Sequence, residues 1–183
     1  MPELPDIDVY VETLQERIGD RTLESIRVSK PFLIRSVDPP LSEANGRKVI
    51  ALRRIGKRIV IGLNSDLWLV LHLMVAGRLH WHNDKVSIRG RHQLAAFDFD
   101  SGTLLLTEAG TKKRASLYLV KGEQALAEHN PGGLEVLESS FADFAAQLTN
   151  ENRTLKRSLT NPRAFSGIGN AYSDEILHAA RLS

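Results

Sequence analysis

From Thr22 to Val120 the chain passes through one short apolar segment after another with no helix between them, and this succession limits the fold more than any other feature. The segments are Thr22–Val28, Phe32–Val37, Lys48–Arg54, Arg58–Leu63, Trp68–His72, Arg78–Trp81, Gln93–Phe99, Thr103–Thr107 and Ser116–Val120. Turn sequences such as Asn64-Ser65-Asp66 and Asp100-Ser101-Gly102 separate several of them. Strands this closely spaced leave no room for helical crossovers, so antiparallel pairing in a sandwich or barrel is expected.

The two ends read differently. Ile7, Val11, Leu14 and Ile18 recur at helical spacing, and Pro5 falls in a first turn, where proline is tolerated. A helix over Pro5–Ile18, ended by Gly19-Asp20, follows. Asn130-Pro131-Gly132-Gly133 is the clearest break in the chain, and the pattern beyond it is helical. Ser140 is placed to cap a helix carrying the stripe Phe141, Phe144, Ala145 and Leu148. A second helix is expected from Asn152 to Asn161, with Pro162 at its end, and a third from Asn170, with Tyr172, Ile176 and Ala180 on one side. The reading is an α+β chain. Residues 1–130 form an N-terminal helix and an antiparallel β-sandwich, and residues 131–183 a smaller helical domain.

No apolar run approaches the roughly 20 residues that a membrane span requires. The start of the chain is acidic and lacks the basic and apolar parts of a signal peptide, so a cytoplasmic location and no membrane partner are expected. With no cysteine there is neither a disulfide framework nor a thiolate metal site. His80 and His82 share a strand face, but no further ligand lies near them in sequence. The net charge of +2 says little; its distribution says more. Gly46–Arg58 holds six basic residues and no acid, with further clusters at Lys112-Lys113-Arg114 and at Arg153, Lys156, Arg157 and Arg163. A single basic cluster is usually a solvated face, whereas three in a short chain favour a groove that follows phosphates.

Removal of Met1, which a small following residue permits, leaves Pro2 with a free secondary amine. A terminal amine titrates near roughly 8, so a neutral fraction exists at physiological pH. Such an amine attacks an electrophilic carbon and forms a Schiff base once a leaving group departs. Glu3 beside it is placed to transfer protons. On these two residues alone, Met-Pro is also simply a common processed start.

The longer string Pro2-Glu3-Leu4-Pro5-Asp6-Ile7-Asp8 resembles the N-terminus of the formamidopyrimidine-DNA glycosylase / endonuclease VIII family, with Asp6 and Asp8 where the family usually has glutamate. Arg54-Ile55-Gly56-Lys57-Arg58 is similar to the family hairpin that delivers an essential lysine, and His72-Leu73-Met74-Val75-Ala76-Gly77 to its His-Leu-Gly-Met-Ser/Thr-Gly segment. Gly167-Ile168-Gly169-Asn170-Ala171-Tyr172-Ser173-Asp174-Glu175 resembles its helix–two-turn–helix signature. The four motifs stand in family order along the whole chain. The resemblance implies a monomeric base-excision repair enzyme acting on double-stranded DNA with oxidised bases or abasic sites, associated with the nucleoid in a bacterium. It would be both glycosylase and AP-lyase.

The same resemblance assigns roles. Pro2 attacks C1′ of the damaged nucleotide, and Glu3 moves the proton that opens the sugar ring. Lys57 binds a phosphate beside the lesion and, as a nearby cation, depresses the pKa of the amine. Asn170 contacts a phosphate at a helix start, or serves as a plain N-cap, or both. Met74 or Val75, with Arg114, fills the gap left by the flipped base. Here the chain departs from the family: Met74 stands one place early with Val75 at the methionine position, the loop Thr107–Ala115 holds no aromatic, and a core role for Met74 is an equal alternative. Leu4 favours oxidised purines; oxidised pyrimidines, or lesion binding without cleavage, are the alternatives. Family members continue into a zinc finger or its zincless equivalent, whereas this chain stops soon after the signature. A truncated helical domain and no cofactor are therefore expected. A tautomerase, the other family with a catalytic N-terminal proline, is a small βαβ unit and does not match the strand-rich middle.

Overall fold

The computed structural model describes residues 1–182. Helix α1 (Leu4–Ile18) opens the chain, and its buried Ile7, Leu14 and Ile18 are those that the helical spacing singled out. Eight strands follow: β1 (Thr22–Val28), β2 (Arg47–Ile55), β3 (Arg58–Leu63), β4 (Leu67–His72), β5 (Gly77–His82), β6 (Gln93–Phe99), β7 (Gly102–Glu108) and β8 (Ser116–Lys121). Every pairing is antiparallel, in the order β5-β7-β6-β1-β2-β3-β4-β8. β1 and β2 share only the register pairs Thr22↔Lys48 and Leu23↔Arg47, and there the sheet folds over on itself. The two halves press their inner faces together as a sandwich.

Alternation along the strands fills that sandwich. Ile59, Ile61, Leu69, Leu71, Leu117 and Leu119 from one half meet Leu94, Phe97, Leu104 and Leu106 from the other, with α1 closing one side. The opposite face of β3, β4 and β8 is also apolar. Val60, Trp68 and Val70 there are covered by Leu126 of the short helix α2 (Glu123–Ala127), which the sequence pattern did not indicate. Burial on both faces explains why β3 and β4 read as continuous apolar runs.

One expected strand is absent. Over Phe32–Val37 the chain makes a 3₁₀ turn at Pro31–Leu33 and then a single bridge, Ile34↔Leu117. Pro31 sets the turn, and Pro39 and Pro40 have no N–H to extend a ladder. The hydroxyl of Ser36 takes the N–H of Leu119 that a strand carbonyl would otherwise accept (2.8 Å).

Beyond Asn130, α3 (Phe141–Thr149), α4 (Leu155–Leu159) and α5 (Asn170–Ala179) gather around Leu159, Ala164, Phe165 and Ile168. Ser140 caps α3 by accepting from the Asp143 N–H at 3.1 Å, as expected. Phe144 and Leu148 pack inward, Phe144 with its ring 5.0 Å from that of Phe165, but Phe141 is 86% exposed and does not belong to the stripe. In α5 the inward face is Ser173, Ile176 and Leu177 rather than Tyr172, Ile176 and Ala180. α4 is shorter than the expected second helix, beginning at Leu155 after the cap Thr154.

Candidate active site

The N-terminus is not left loose. Pro2, Glu3 and Leu4 are all buried, and the Leu4 N–H donates to the Gly167 carbonyl (2.9 Å). This holds the start of the chain against the two turns between α4 and α5. The Glu3 carboxylate, 2% exposed, accepts from the N–H groups of Gly169 (2.7 Å), Ala171 (3.0 Å) and Tyr172 (3.1 Å). These are donors that a helix start leaves without partners, and the partial positive charge of the helix end favours the carboxylate. Glu3 therefore caps α5 from 166 residues away. Asn170 is not the cap. It is the first residue of the helix, with Gly169 in the cap position, and it is exposed.

Two glycines make the approach possible. Gly167 has φ +77°, and a Cβ there would lie 2.6 Å from the Leu4 Cβ. A Cβ on Gly169 would lie 2.5 Å from Glu3 Oε1 and 2.6 Å from Lys57 Nζ. The carboxylate and the ammonium thus crowd against one backbone position. Lys57 arrives from the β2–β3 turn, where Gly56 adopts φ +57°. It is half-buried, and burial lowers its pKa from the ordinary lysine value, with Glu3 pulling the other way.

Met1, Lys57, Arg58, His72, Ser166 and Gly167 line a cleft of about 280 Å³. Because Met1 is bonded to the Pro2 nitrogen, loss of Met1 leaves that nitrogen facing the cleft. Two larger hollows, about 400 Å³ beside Arg153 and Arg163 and about 420 Å³ between Val9 and Tyr172, contain neither Glu3 nor Lys57. His72 and Arg58 face each other across β3 and β4. His72 Nε2 and Arg58 Nε are buried without a hydrogen-bond partner. Burial, then the charges of Arg58 and Lys57, push the His72 pKa down to about 4, so the imidazole is neutral at physiological pH.

Arg54 ties these pieces together. Its guanidinium donates to Asp8 of α1 (2.7 Å), to Glu135 (2.7 Å), to the Gly56 carbonyl (3.3 Å) and to Ser166 Oγ (3.4 Å). Arg54, Arg58 and His72 all lie in motifs visible in the sequence, but nothing in the sequence distinguishes them from neighbouring basic residues.

Pro2, Glu3, Lys57 and the start of α5 at Asn170 thus meet at one place. Met74 and Arg114 lie apart from it. Met74 sits with φ +56° in the turn after β4, partly buried. Its neighbour Val75, 59% exposed, lines a hollow of about 230 Å³ together with Ala76, Glu108, Lys112 and Arg114. Val75 rather than Met74 is the apolar side chain beside Arg114. The buried Glu108 carboxylate shapes this loop by accepting from the Arg114 (2.9 and 3.0 Å) and Ala115 (3.2 Å) N–H groups.

Comparison with known proteins agrees with this architecture. Residues 1–113 match the formamidopyrimidine-DNA glycosylase N-terminal domain. Formamidopyrimidine-DNA glycosylases of Solibacter usitatus and Heliobacterium modesticaldum are 32% and 33% identical over 184 and 190 residues, which cover all of this chain and 66% and 68% of theirs. The chain belongs to the formamidopyrimidine-DNA glycosylase family. The relative from Mycoplasma genitalium, 27% identical, is likewise matched over 66% of its length, so the chain spans about two thirds of such relatives. The Lactococcus lactis enzyme, solved non-covalently bound to DNA containing an AP site, shares the fold with a TM-score of 0.84 at 23% identity, over 96% of this chain and 68% of that one. A MutM solved with DNA containing carbocyclic 8-oxo-G also gives 0.84, at 24% identity.

Proposed function

We propose that this chain carries the catalytic centre of a DNA glycosylase with AP-lyase activity, which removes oxidised bases, oxidised purines foremost, through a Schiff base on Pro2. The observation that carries this reading is the convergence of Glu3 and Lys57 on the Gly169 backbone, beside the point where removal of Met1 frees the Pro2 nitrogen. The neutral amine attacks C1′ of a flipped-out nucleotide, and the bond to the base breaks as the base leaves with a proton. The nitrogen lone pair then forms the imine as the sugar ring opens. The imine draws electrons from C2′, so loss of a C2′ proton expels the 3′ phosphate, and hydrolysis frees Pro2.

Three of the roughly four lone-pair sites of Glu3 are occupied by backbone N–H groups, leaving one to exchange a proton with the opening sugar. Lys57 holds the phosphate beside the lesion, and the exposed Asn170 extends that contact through its side chain, since the N–H groups of Gly169, Ala171 and Tyr172 at the α5 start are already taken by Glu3. Double-stranded DNA with an oxidised base or abasic site is the partner, bound by a monomer. Among the described residues no helix is long and apolar enough to cross a membrane. Arg114 with Val75 fills the vacated stack. Leu4 serves foremost as an anchor against Gly167, so purine preference rests on the family likeness.

Borohydride trapping tests the nucleophile. Protein lacking Met1 is expected to become covalently linked to an abasic or 8-oxoguanine duplex. Retained Met1, an N-terminal tag or Pro2→Gly should sharply reduce both trapping and strand cleavage. Equal cleavage by tagged and processed protein would remove Pro2 from the chemistry.

A further inference from the structure

The loop between β7 and β8, residues 109–115, has no regular secondary structure, and no backbone-to-backbone hydrogen bond forms within it. Two side chains shape it instead. The Glu108 carboxylate, in a residue 1% exposed, accepts the Arg114 N–H on both oxygens (2.9 and 3.0 Å) and the Ala115 N–H on Oε2 (3.2 Å). The Lys113 ammonium donates to the carbonyls of Glu108 and Gly110, the latter at 3.2 Å. The loop is thus wrapped around residue 108. The pairing Gly77↔Glu108 fastens the β4–β5 turn to the same residue, and the Gly77 N–H closes that turn on the Leu73 carbonyl (3.0 Å). Val75 and Arg114, which line one hollow of about 230 Å³, are therefore both placed relative to Glu108.

Such an arrangement costs free energy. A carboxylate taken out of water is harder to bury than an apolar side chain, and among the described residues Glu108 has no ion-pair partner. It also sets a negative charge beside Lys112, Lys113 and Arg114, where it weakens attraction for phosphates. Fold stability alone therefore does not account for it. What the carboxylate supplies is a fixed backbone at Arg114, a residue that is itself exposed and forms no ion pair among the described residues. A side chain that must enter a base stack loses less freedom on binding when its backbone is already set.

We propose that Glu108, braced by Lys113, is a positioning residue for stack entry: its carboxylate sets the Arg114 backbone beside Val75 before DNA arrives. The proposal rests on the reading that Arg114 and Val75 fill the vacated stack, and not on the Schiff-base chemistry.

A duplex holding an abasic-site analogue, with 2-aminopurine as the neighbouring base, tests it, because 2-aminopurine brightens when it loses a stacking partner. Stopped-flow fluorescence at saturating protein removes differences in affinity from the comparison. The parent chain is expected to raise the signal, and Arg114→Ala to lose most of that rise. Glu108→Gln keeps the size of the side chain and removes its charge. It should bind intact duplex at least as tightly as the parent at the same salt, since an acid has gone, yet slow the rise by about 10- to 100-fold. A role in folding alone would lower the melting temperature and leave the rise unchanged. Lys113→Met loosens the loop from its other side and should slow the rise as well; thermal unfolding verifies that each variant folds. A rise at the parent rate in Glu108→Gln, or in Lys113→Met where Glu108→Gln does not fold, would overturn the positioning role and leave stack filling by Arg114 intact. No rise with the parent, or an unimpaired Arg114→Ala, would overturn both. Failure of borohydride trapping beside the expected fluorescence would instead sink the catalytic reading alone.

Discussion

At the scale of single residues, His72 and Asp98 set the pH response. An imidazole that titrates near 4 in the folded chain and near 6.5 when unfolded leaves the unfolded chain holding the extra proton between those values. Stability therefore falls as pH drops from 6.5 to 4, by at most about 1.4 kcal/mol per pH unit from this group. His72→Gln is expected to flatten that part of the profile in denaturant titrations at pH 7, 6 and 5; an identical slope would show that His72 is not the group responsible. Asp98 behaves in the opposite sense. Burial alone would raise its pKa, but hydrogen bonds from Arg27, Thr103 and Ser25 outweigh this and bring it to about 2. Its contribution is full above the unfolded value near 4 and is lost as pH falls through 2. The acid limb below pH 4 should accordingly survive in the His72 variant.

At the scale of elements, the start of α5 is the part least tolerant of change. Gly169→Ala inserts a methyl group where Glu3 Oε1 and Lys57 Nζ both lie within about 2.6 Å, so both must move. Displacements near 1 Å of reacting groups cost on the order of 100-fold in rate, and we expect a loss of that size in single-turnover trapping while low-salt duplex binding persists. Trapping at the parent rate would show that this crowding does not set the geometry. The element also shows what a sequence can reveal. The α5 start at Asn170 and the inward residues of α1 follow from spacing, as do eight strands, because local periodicity determines them. Phe32–Val37 misled because its apolar residues meet a sheet edge through one bridge and a serine hydroxyl. The Glu3 cap was hidden because its partners lie at the far end of the chain. Pro2, Glu3 and Lys57 were legible only through their motifs. The hub at Arg54 was not, since its three neighbouring segments meet only once folded.

At the scale of the whole molecule, that hub joins the parts. Arg54 links α1, the lysine turn, Glu135 and Ser166, with its side chain 15% exposed and its acidic partners near 40%. Such half-screened pairs are weaker than fully buried ones, so Arg54→Met is expected to cost about 1–3 kcal/mol. Arg54→Lys should not restore it, because one ammonium cannot span the four acceptors. In hydrogen exchange, α4 and α5 should lose protection ahead of β3 and β4; uniform loss would mean that Arg54 merely stabilises the sandwich.

The pairing of residues 2–4 with 167–172 has a consequence for biosynthesis. A ribosome adding about 5–20 residues per second needs roughly 8–33 seconds to make the 166 residues between Glu3 and Gly169. Throughout that interval the first residues of the emerging chain have no partner, and an aminopeptidase can reach Met1. Once α5 emerges, Pro2 and Glu3 are enclosed. Pro2 and Glu3 reach their buried positions only when the last part of the site is translated, while Met1 stays exposed beside the cleft. A nascent chain still lacking α5 therefore has the proposed nucleophile without the backbone that positions Glu3 beside it.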